Sequence, residues 1–316
     1  MKSNVNEKAR ALMRAGMLAA ATLMASCGGG SQVQTFTAKR VIAFGDETSV
    51  INADGSKYSV NAVLAGSANQ IDCGANPIWI QAVAAIYGLA FPQCPGNTTD
   101  STSRIYAANG ATVADVGNQI DEHLLNSGFV AGDLVTVLAG ANDVVVQFRQ
   151  YPAVGEGQLA ANLAVAGEAL AAQVNRLAGY GAKVLIVTIP DMGLTPFAGD
   201  RSVGSTDGNP ALLTRLSTRF NDALLAGILN DGHKVGLVQL DQYLKSVDTA
   251  ARARQGSFNN TTLAACTVAL PNCTTNTLTA DAVNSVWLWA DDRRLGASGQ
   301  TSLGSLAATR AQSNPF

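Results

Sequence analysis

The sequence of 316 residues is long enough for one large domain or two small ones. Hydrophobic residues make up 47% of it and charged residues only 14%, which predicts a substantial core and excludes extensive disorder after roughly the first forty residues. Residues 1–26 hold four of the 21 bases and one of the 23 acids, so the remainder carries 17 bases against 22 acids, a net charge of −5. A mildly acidic chain has no electrostatic basis for binding nucleic acid, and we expect no nucleic-acid partner.

The first segment, residues 1–26, has the pattern of an export signal. Basic residues extend to Arg14, and the apolar run that follows, Ala15 to Ala25, is too short to span a bilayer as a mature helix. The stretch from Leu23 to Cys27 resembles a bacterial lipobox, in which the cysteine is lipidated and becomes the new N-terminus. We therefore predict a lipid anchor at Cys27, a flexible tether over residues 27–37, and a location at the bacterial outer membrane. The alternative is an ordinary cleaved signal in which Cys27 has no role.

Strand and helix signals alternate through the rest of the chain. Apolar, β-branched runs predict strands at 40–44, 134–138, 184–189 and 235–240. Helices are predicted at 77–89, 159–177, 210–224 and 296–311, the first and third opened by Asn-Pro pairs with Asn76 and Asn209 as N-caps. Apolar strands separated by crossover helices predict a parallel sheet covered on both faces, which makes residues 38–316 one three-layer α/β/α domain. Ligands of such sheets bind at the carboxyl ends of the strands.

Four cysteines remain after Cys27: Cys73, Cys94, Cys266 and Cys273. An even number in an exported protein predicts two disulfides, for which three connectivities are possible. We expect Cys73 to pair with Cys94 and Cys266 with Cys273, because each pair brackets one loop-like segment. A metal site is the competing interpretation. The chain has only two histidines and no Cys-x-x-Cys motif, so we predict no metal and no cofactor.

Four short motifs lie at the predicted strand ends and helix starts. They are Phe44-Gly45-Asp46 after the first strand, Ala108-Asn109-Gly110-Ala111-Thr112 before a helix, Gly140-Ala141-Asn142-Asp143 after a strand, and Ala290-Asp291-Asp292-Arg293-Arg294 before the last helix. In this order they resemble the SGNH, or GDSL, hydrolase family of esterases and lipases, over nearly all of residues 38–312. The segment Ile189-Pro190-Asp191-Met192-Gly193 is also similar to the one that follows the fourth strand of that family.

The resemblance implies a flavodoxin-like sheet with a shallow site across its carboxyl edge. In the family, a serine after Gly-Asp attacks an ester carbonyl, and a histidine three residues after an aspartate removes the proton of that serine. Carried over to this chain, the oxyanion donors are Gly110, Asn142 and the backbone N–H of residue 47, and the orienting acid is Asp291. The implied ligand is a lipid ester, an acyl sugar or another small ester.

The two central residues of this machinery are replaced. Glu47 stands where the family has serine, and Arg294 stands where it has histidine. Arginine stays protonated at any relevant pH and cannot act as the base. Glutamate is a poor nucleophile toward an unactivated ester, and its longer side chain is expected to crowd the oxyanion pocket. His123 and His233 lie away from the predicted strand ends, so we expect both to be structural.

The opposite charges of the replacements lead to a specific hypothesis. We predict a hydrogen-bonded ion pair between Glu47 and Arg294, with Asp291 as a second acceptor for the guanidinium. The protein would then perform weak or no standard ester hydrolysis and would bind its ligand instead.

Two other interpretations stay open. In one, the chain is an active esterase that uses Thr48 or Ser49 as the nucleophile and Glu47 as the general base. In the other, it is a surface-interaction or carbohydrate-binding protein that uses its long loops. Trp287 and Trp289 would then form an apolar wall beside the site, although core packing explains them equally well.

Overall fold

The structure is a computed structural model that describes residues 36–67, 70–94, 96, 102–199 and 209–316. Residues Phe36–Phe316 form one compact unit. The predicted export signal at 1–26, the predicted lipidation site Cys27 and most of the predicted tether at 27–37 lie outside the described residues. Within the described ranges, no helix has both the length and the apolar content needed to cross a bilayer.

A parallel sheet forms the centre of the domain. The strands in chain order are β1 (Arg40–Gly45), β2 (Ala62–Val63), β3 (Ile71–Asp72), β4 (Arg104–Ile105), β5 (Asp133–Leu138), β6 (Lys183–Val187), β7 (Val235–Val238), β8 (Asn260–Ala264) and β9 (Trp287–Trp289). Five of them pair in parallel in the order β4-β1-β5-β6-β7, which is the flavodoxin-like order. β5 is buried along its whole length because it lies in the middle of this sheet.

Helices cover both faces of the sheet. They are α1 (Trp79–Ala85), α2 (Val113–Asn126), α3 (Ala141–Phe148), α4 (Glu156–Gly179), α5 (Pro196–Gly199), α6 (Pro210–Gly227), α7 (Leu240–Arg252) and α8 (Ala297–Ser313). The helices α2, α4 and α6 pack side by side on one face, and α1 packs against α8 on the other. The predicted three-layer α/β/α fold is therefore confirmed.

The long loops between these elements are held by two disulfides. Cys73 is bonded to Cys94 with their Cα atoms 5.7 Å apart, and Cys266 is bonded to Cys273 at 5.9 Å. The predicted local pairing is confirmed. The first bridge ties the loop before α1 to the loop after it, and the second closes a turn in the segment between β8 and β9.

The predicted boundaries were wrong at both ends of α1, which ends at Ala85 and not at residue 89, and at the end of β7. Asn76 does not cap α1, which begins at Trp79 after Ile78 as the N-cap residue. Asn76 instead has a left-handed backbone with φ of 47°, and its carbonyl accepts a hydrogen bond from the buried Lys57 ammonium at 3.0 Å. Because this contact fixes the loop conformation, the helix starts later than the Asn-Pro pair indicates. The strand predicted at 235–240 ends at Val238, since α7 begins at Leu240.

Candidate functional site

The turn after β1 carries the residue at the nucleophile position. Gly45 ends β1 with φ of +126°, and a Cβ atom there would lie 1.9 Å from the carbonyl oxygen of Leu138 on β5. Only glycine therefore allows this close approach between the strands. The chain then forms a short 3-10 turn over Glu47–Ser49, capped by Asp46, whose Oδ1 accepts the backbone N–H of Thr48 at 2.9 Å. Glu47 is thus placed at the carboxyl edge of the sheet.

The predicted oxyanion donors come from two neighbouring segments. Gly110 lies in the loop before α2 with φ of +75°, a conformation that glycine adopts without strain. Asn142 lies in the first turn of α3, directly after β5, and its Nδ2 donates to the carbonyl of Ala111 at 3.0 Å. That bond fixes the amide beside Gly110, so the two donors face one point.

Asp291 and Arg294 lie in the loop between β9 and α8. The Oδ1 atom of Asp291 accepts the backbone N–H groups of Arg293 at 3.0 Å and Arg294 at 2.7 Å. Its Oδ2 atom accepts Nη1 of Arg294 at 2.6 Å. One carboxylate therefore shapes the turn and holds the guanidinium at the same time.

Glu47 and Arg294 form the predicted ion pair. Nε of Arg294 donates to Oε1 of Glu47 at 2.7 Å, and Asp291 is the second acceptor, as predicted. The other oxygen of Glu47, Oε2, accepts the backbone N–H of Gly110 at 2.9 Å and Nδ2 of Asn142 at 3.0 Å. Both donors are within the distance at which oxyanion donors hold a negatively charged oxygen. The Glu47 carboxylate thus occupies the point at which the two predicted oxyanion donors converge.

The electrostatics of the pair are those of a fixed, ionised contact. Burial acts to raise the pKa of Glu47, but the Arg294 charge and the hydrogen bonds from Asn142 and Gly110 outweigh it and lower that pKa. Burial likewise acts to lower the pKa of Arg294, and the charges of Asp291 and Glu47 outweigh it and raise that pKa. Both groups are therefore charged over the whole physiological pH range. Arg294 cannot accept a proton from a nucleophile, and the lowered pKa of Glu47 makes that carboxylate a weaker base.

Asp46 adds a second carboxyl group beneath the pair. It is almost fully buried, and burial followed by the neighbouring Glu47 charge raises its pKa to about 7. Sequence reasoning did not assign it a role, although its place in the Gly-Asp turn next to Glu47 was a usable signal. Arg293 was also missed; its guanidinium lines the cleft and binds Asp292 at 3.0 Å.

Little open space remains at the centre. The cleft encloses a cavity of about 20 Å³, enough for about one water molecule. Its apolar lining residues are Leu138, Ala141, Pro190, Leu240 and Leu295. The side chains of Glu47 and Arg294 therefore fill most of the centre of the cleft.

Thr48 and Ser49, the alternative nucleophiles, are placed differently. Thr48 lines the cleft and is partly exposed. Ser49 is fully buried, and its Oγ accepts the indole N–H of Trp79 at 3.1 Å. Of the two, only Thr48 has access to a ligand in the cleft.

The remaining candidates lie outside the site. His123 is buried in α2, with its Nδ1 atom 3.1 Å from the hydroxyl of Tyr106, and His233 lies in the loop before β7. Both lie away from the carboxyl edge of the sheet, as predicted. Trp287 and Trp289 are buried, and the indole of Trp289 donates to the carbonyl of Thr261, so this pair belongs to the core. The described part of the chain holds no cluster of His, Cys, Asp and Glu that could bind a metal ion.

Most of the sequence matches a known protein family. A family model described as "GDSL-like Lipase/Acylhydrolase" matches residues 41–283. A search of curated proteins gave no match. Similar solved structures include an extracellular lipase from Streptomyces rimosus, with 18% identity, 87% of this chain and 100% of that chain covered, and a TM-score of 0.45.

Two further structures are similar at the same level. Phospholipase A1 from Streptomyces albidoflavus NA297 has 17% identity, covers 88% of this chain and 100% of its own, and gives a TM-score of 0.42. An acetylxylan esterase from Geobacillus stearothermophilus has 12% identity, covers 90% and 98%, and gives a TM-score of 0.46. Because the family model matches well over half of the sequence, and the parallel sheet and its motifs agree with it, this chain belongs to the GDSL-like lipase/acylhydrolase family, also called the SGNH hydrolases.

Proposed function

We propose that this protein is an exported, lipid-anchored GDSL-family protein that binds an ester, acyl-sugar or lipid-like small molecule and performs little or no serine-type ester hydrolysis. One observation carries the proposal: Oε2 of Glu47 accepts hydrogen bonds from both Gly110 and Asn142. An oxyanion hole stabilises the charge that develops on a substrate oxygen during the reaction. A carboxylate already bound there competes with that oxygen.

The chemistry of the neighbouring groups supports the same conclusion. Arg294 cannot remove a proton, because it stays charged and is held by Asp291 and Glu47. Both oxygens of Glu47 are hydrogen-bonded, which weakens the carboxylate as a nucleophile. Loss of a triad member from a serine hydrolase lowers kcat by about 10⁴–10⁶. Two replacements leave only the weak residual catalysis of the surrounding groups.

Ligand binding is supported by the walls of the cleft. Five of its lining residues are apolar: Leu138, Ala141, Pro190, Leu240 and Leu295. Such a surface suits an acyl chain or the apolar face of an acylated sugar. Because the centre is filled, the ligand would lie across the mouth of the cleft.

The lipid anchor is supported by the sequence. Cys27 follows Leu23-Met24-Ala25-Ser26 at the end of a short apolar run, and the chain carries two disulfides, which fit an oxidising compartment outside the cytoplasm. The proposed location is the outer membrane, on either its periplasmic or its external side.

Hydrolysis that depends on Thr48 is the alternative function, and it is favoured by the exposure of Thr48 in the cleft beside Glu47. Hydrolysis of p-nitrophenyl butyrate and p-nitrophenyl palmitate by the wild type and by Thr48→Val separates the two functions. We expect rates near background for both proteins and no labelling by a fluorophosphonate probe. An enzymatic rate that is lost in Thr48→Val would support the alternative. An enzymatic rate that survives this substitution would contradict both.

A further inference from the structure

The edge of the sheet opposite the candidate site carries a surface with several exposed apolar side chains. It consists of the segments that lead into the parallel strands: residues 36–40 before and at the start of β1, 102–104 before β4, 121–133 before β5, 176–183 before β6 and 228–234 before β7. We call this surface the amino-edge face. Because the strands are parallel, all of these segments lie at one edge, while Glu47 and Asn142 lie at the other.

Large apolar side chains project from the amino-edge face. Leu125 is 87% exposed, Val130 54%, Tyr180 46% and Leu229 43%. They account for four of the ten large apolar side chains that are exposed among the described residues. Each of the three helix-to-strand connections that lead into β5, β6 and β7 contributes at least one of them. The ring of Tyr180 also stacks on Phe129, with the ring centroids 5.5 Å apart, which holds Tyr180 at this surface.

The charge of the amino-edge face is opposite in sign to that of the whole domain. Its cationic residues are Lys39, Arg40, Arg104, Arg176, Lys183 and Lys234, and its acidic residues are Asp121, Glu122, Asp133 and Asp231. The face therefore carries a net charge of +2 on a domain of net charge −5. Exposed apolar groups among cationic side chains form a surface that suits the headgroup region of a bilayer with anionic phospholipids.

The chain also enters the domain at this face. Phe36, the first described residue, packs its ring on Phe316 at 5.6 Å and on Tyr87 at 6.1 Å. Phe36 follows Cys27 by nine residues, and nine residues span at most about 32 Å. A lipid on Cys27 would therefore keep the point at which the chain enters the amino-edge face within that distance of the bilayer surface.

We propose that the amino-edge face lies against an anionic phospholipid bilayer, with Leu125, Val130, Tyr180 and Leu229 in the interfacial region. This inference rests on the proposed lipid anchor. The six residues of β1 separate the two edges by about 20 Å, so the candidate site faces away from the membrane and binds a ligand that arrives from the aqueous phase.

Tryptophan quenching tests this orientation on the lipidated protein that begins at Cys27. It is reconstituted in vesicles of phosphatidylethanolamine and phosphatidylglycerol with brominated acyl chains. The native tryptophans give a low background, since Trp79 and Trp289 are fully buried and Trp287 is 8% exposed. Leu125→Trp and Leu229→Trp place probes on the amino-edge face. Val146→Trp is the matched control. Val146 is 49% exposed and lies on α3, the helix that begins at the carboxyl edge of the sheet.

We expect quenching in Leu125→Trp and Leu229→Trp to exceed that in Val146→Trp by at least about twofold, and to fall in a Lys39→Glu/Lys234→Glu background. Equal quenching at all three positions, or stronger quenching in Val146→Trp, would overturn the proposed orientation. Sedimentation with the vesicles, compared with Cys27→Ser, reports on the anchor separately. Protein that sediments without quenching at the face contradicts this inference alone. Protein that does not sediment contradicts the anchor as well.

Discussion

Two arginine–carboxylate pairs lie at opposite edges of the sheet, and their surroundings differ. At the amino edge, Arg40 binds Asp133 through Nε at 2.5 Å and Nη2 at 2.8 Å, and these residues are direct partners on β1 and β5. At the carboxyl edge, Arg294 binds Glu47 through a single contact at 2.7 Å. Both carboxylates are buried, and both arginines are mostly buried.

The difference lies in the other partners of each pair. The remaining contacts of the amino-edge pair are local backbone groups: Asp133 accepts the N–H of Val130, and Arg40 donates to the carbonyl of Gly128. Those contacts hold one loop. Glu47 instead binds Gly110 and Asn142, which come from two segments that converge at the carboxyl edge. An ion pair alone does not indicate a functional site; the converging donors around it do.

Removing the arginine from each pair should have unequal effects on stability. Arg40→Met leaves the Asp133 charge buried with one local hydrogen bond, and we expect it to lower the free energy of unfolding by about 3–5 kcal/mol. Arg294→Met leaves Glu47 bound to Gly110 and Asn142, so we expect a smaller loss, about 1–3 kcal/mol. Urea unfolding at pH 7 measures both. A larger loss in Arg294→Met would mean that the oxyanion donors contribute little to holding Glu47.

The buried Asp46 gives the carboxyl edge a dependence on pH. Its pKa is raised from 3.8 to about 7, so its contribution to stability is fully present below about pH 4 and is lost as the pH rises through 7. Asp46→Asn keeps an acceptor for the N–H of Thr48 and removes the titration. Relative to the wild type, we expect this variant to gain about 2–4 kcal/mol in the free energy of unfolding between pH 4 and pH 8.

Urea unfolding of both proteins across that pH range checks the sign of the effect. A constant difference between the wild type and Asp46→Asn would show that Asp46 titrates near its ordinary value. The two edges of the sheet would then differ only in the hydrogen-bond partners of their ion pairs, because the carboxyl edge would hold no buried carboxyl group with a raised pKa.

The sequence was informative where local chemistry decides the structure. Apolar runs located four of the five strands of the main sheet, because buried parallel strands are apolar throughout. The fifth, β4, has only two residues, Arg104 and Ile105, and carries no such run. The family resemblance placed Glu47, Arg294 and Asp291 together, and the opposite charges then predicted the Glu47–Arg294 contact with Asp291 as the second acceptor. Where a tertiary contact decides, the sequence misled: the start of α1 depends on the Lys57 contact with Asn76.

The site detail that sequence reasoning could not supply is the path of the Glu47 side chain. We predicted that the Glu47 side chain would crowd the oxyanion pocket. The residue type alone does not determine which carboxylate oxygen accepts a hydrogen bond from which donor. That arrangement depends on the φ of +75° at Gly110 and on the bond from Asn142 to Ala111, which fix the two donors in space. The raised pKa of Asp46 likewise follows from burial, which a single sequence does not report.

The central claim is that the hydrolase scaffold is otherwise intact, and that Glu47 and Arg294 fill its catalytic centre and prevent ester hydrolysis. Its most direct test is hydrolysis of p-nitrophenyl butyrate by Glu47→Ser/Arg294→His, with Glu47→Ser/Arg293→His as the matched control. Arg293 neighbours Arg294 and lines the same cleft but binds Asp292. The account predicts a rate at least about 100-fold above wild type for the first variant and no gain for the control. Wild-type turnover equal to that of the first variant, or an equal gain in the control, would contradict it.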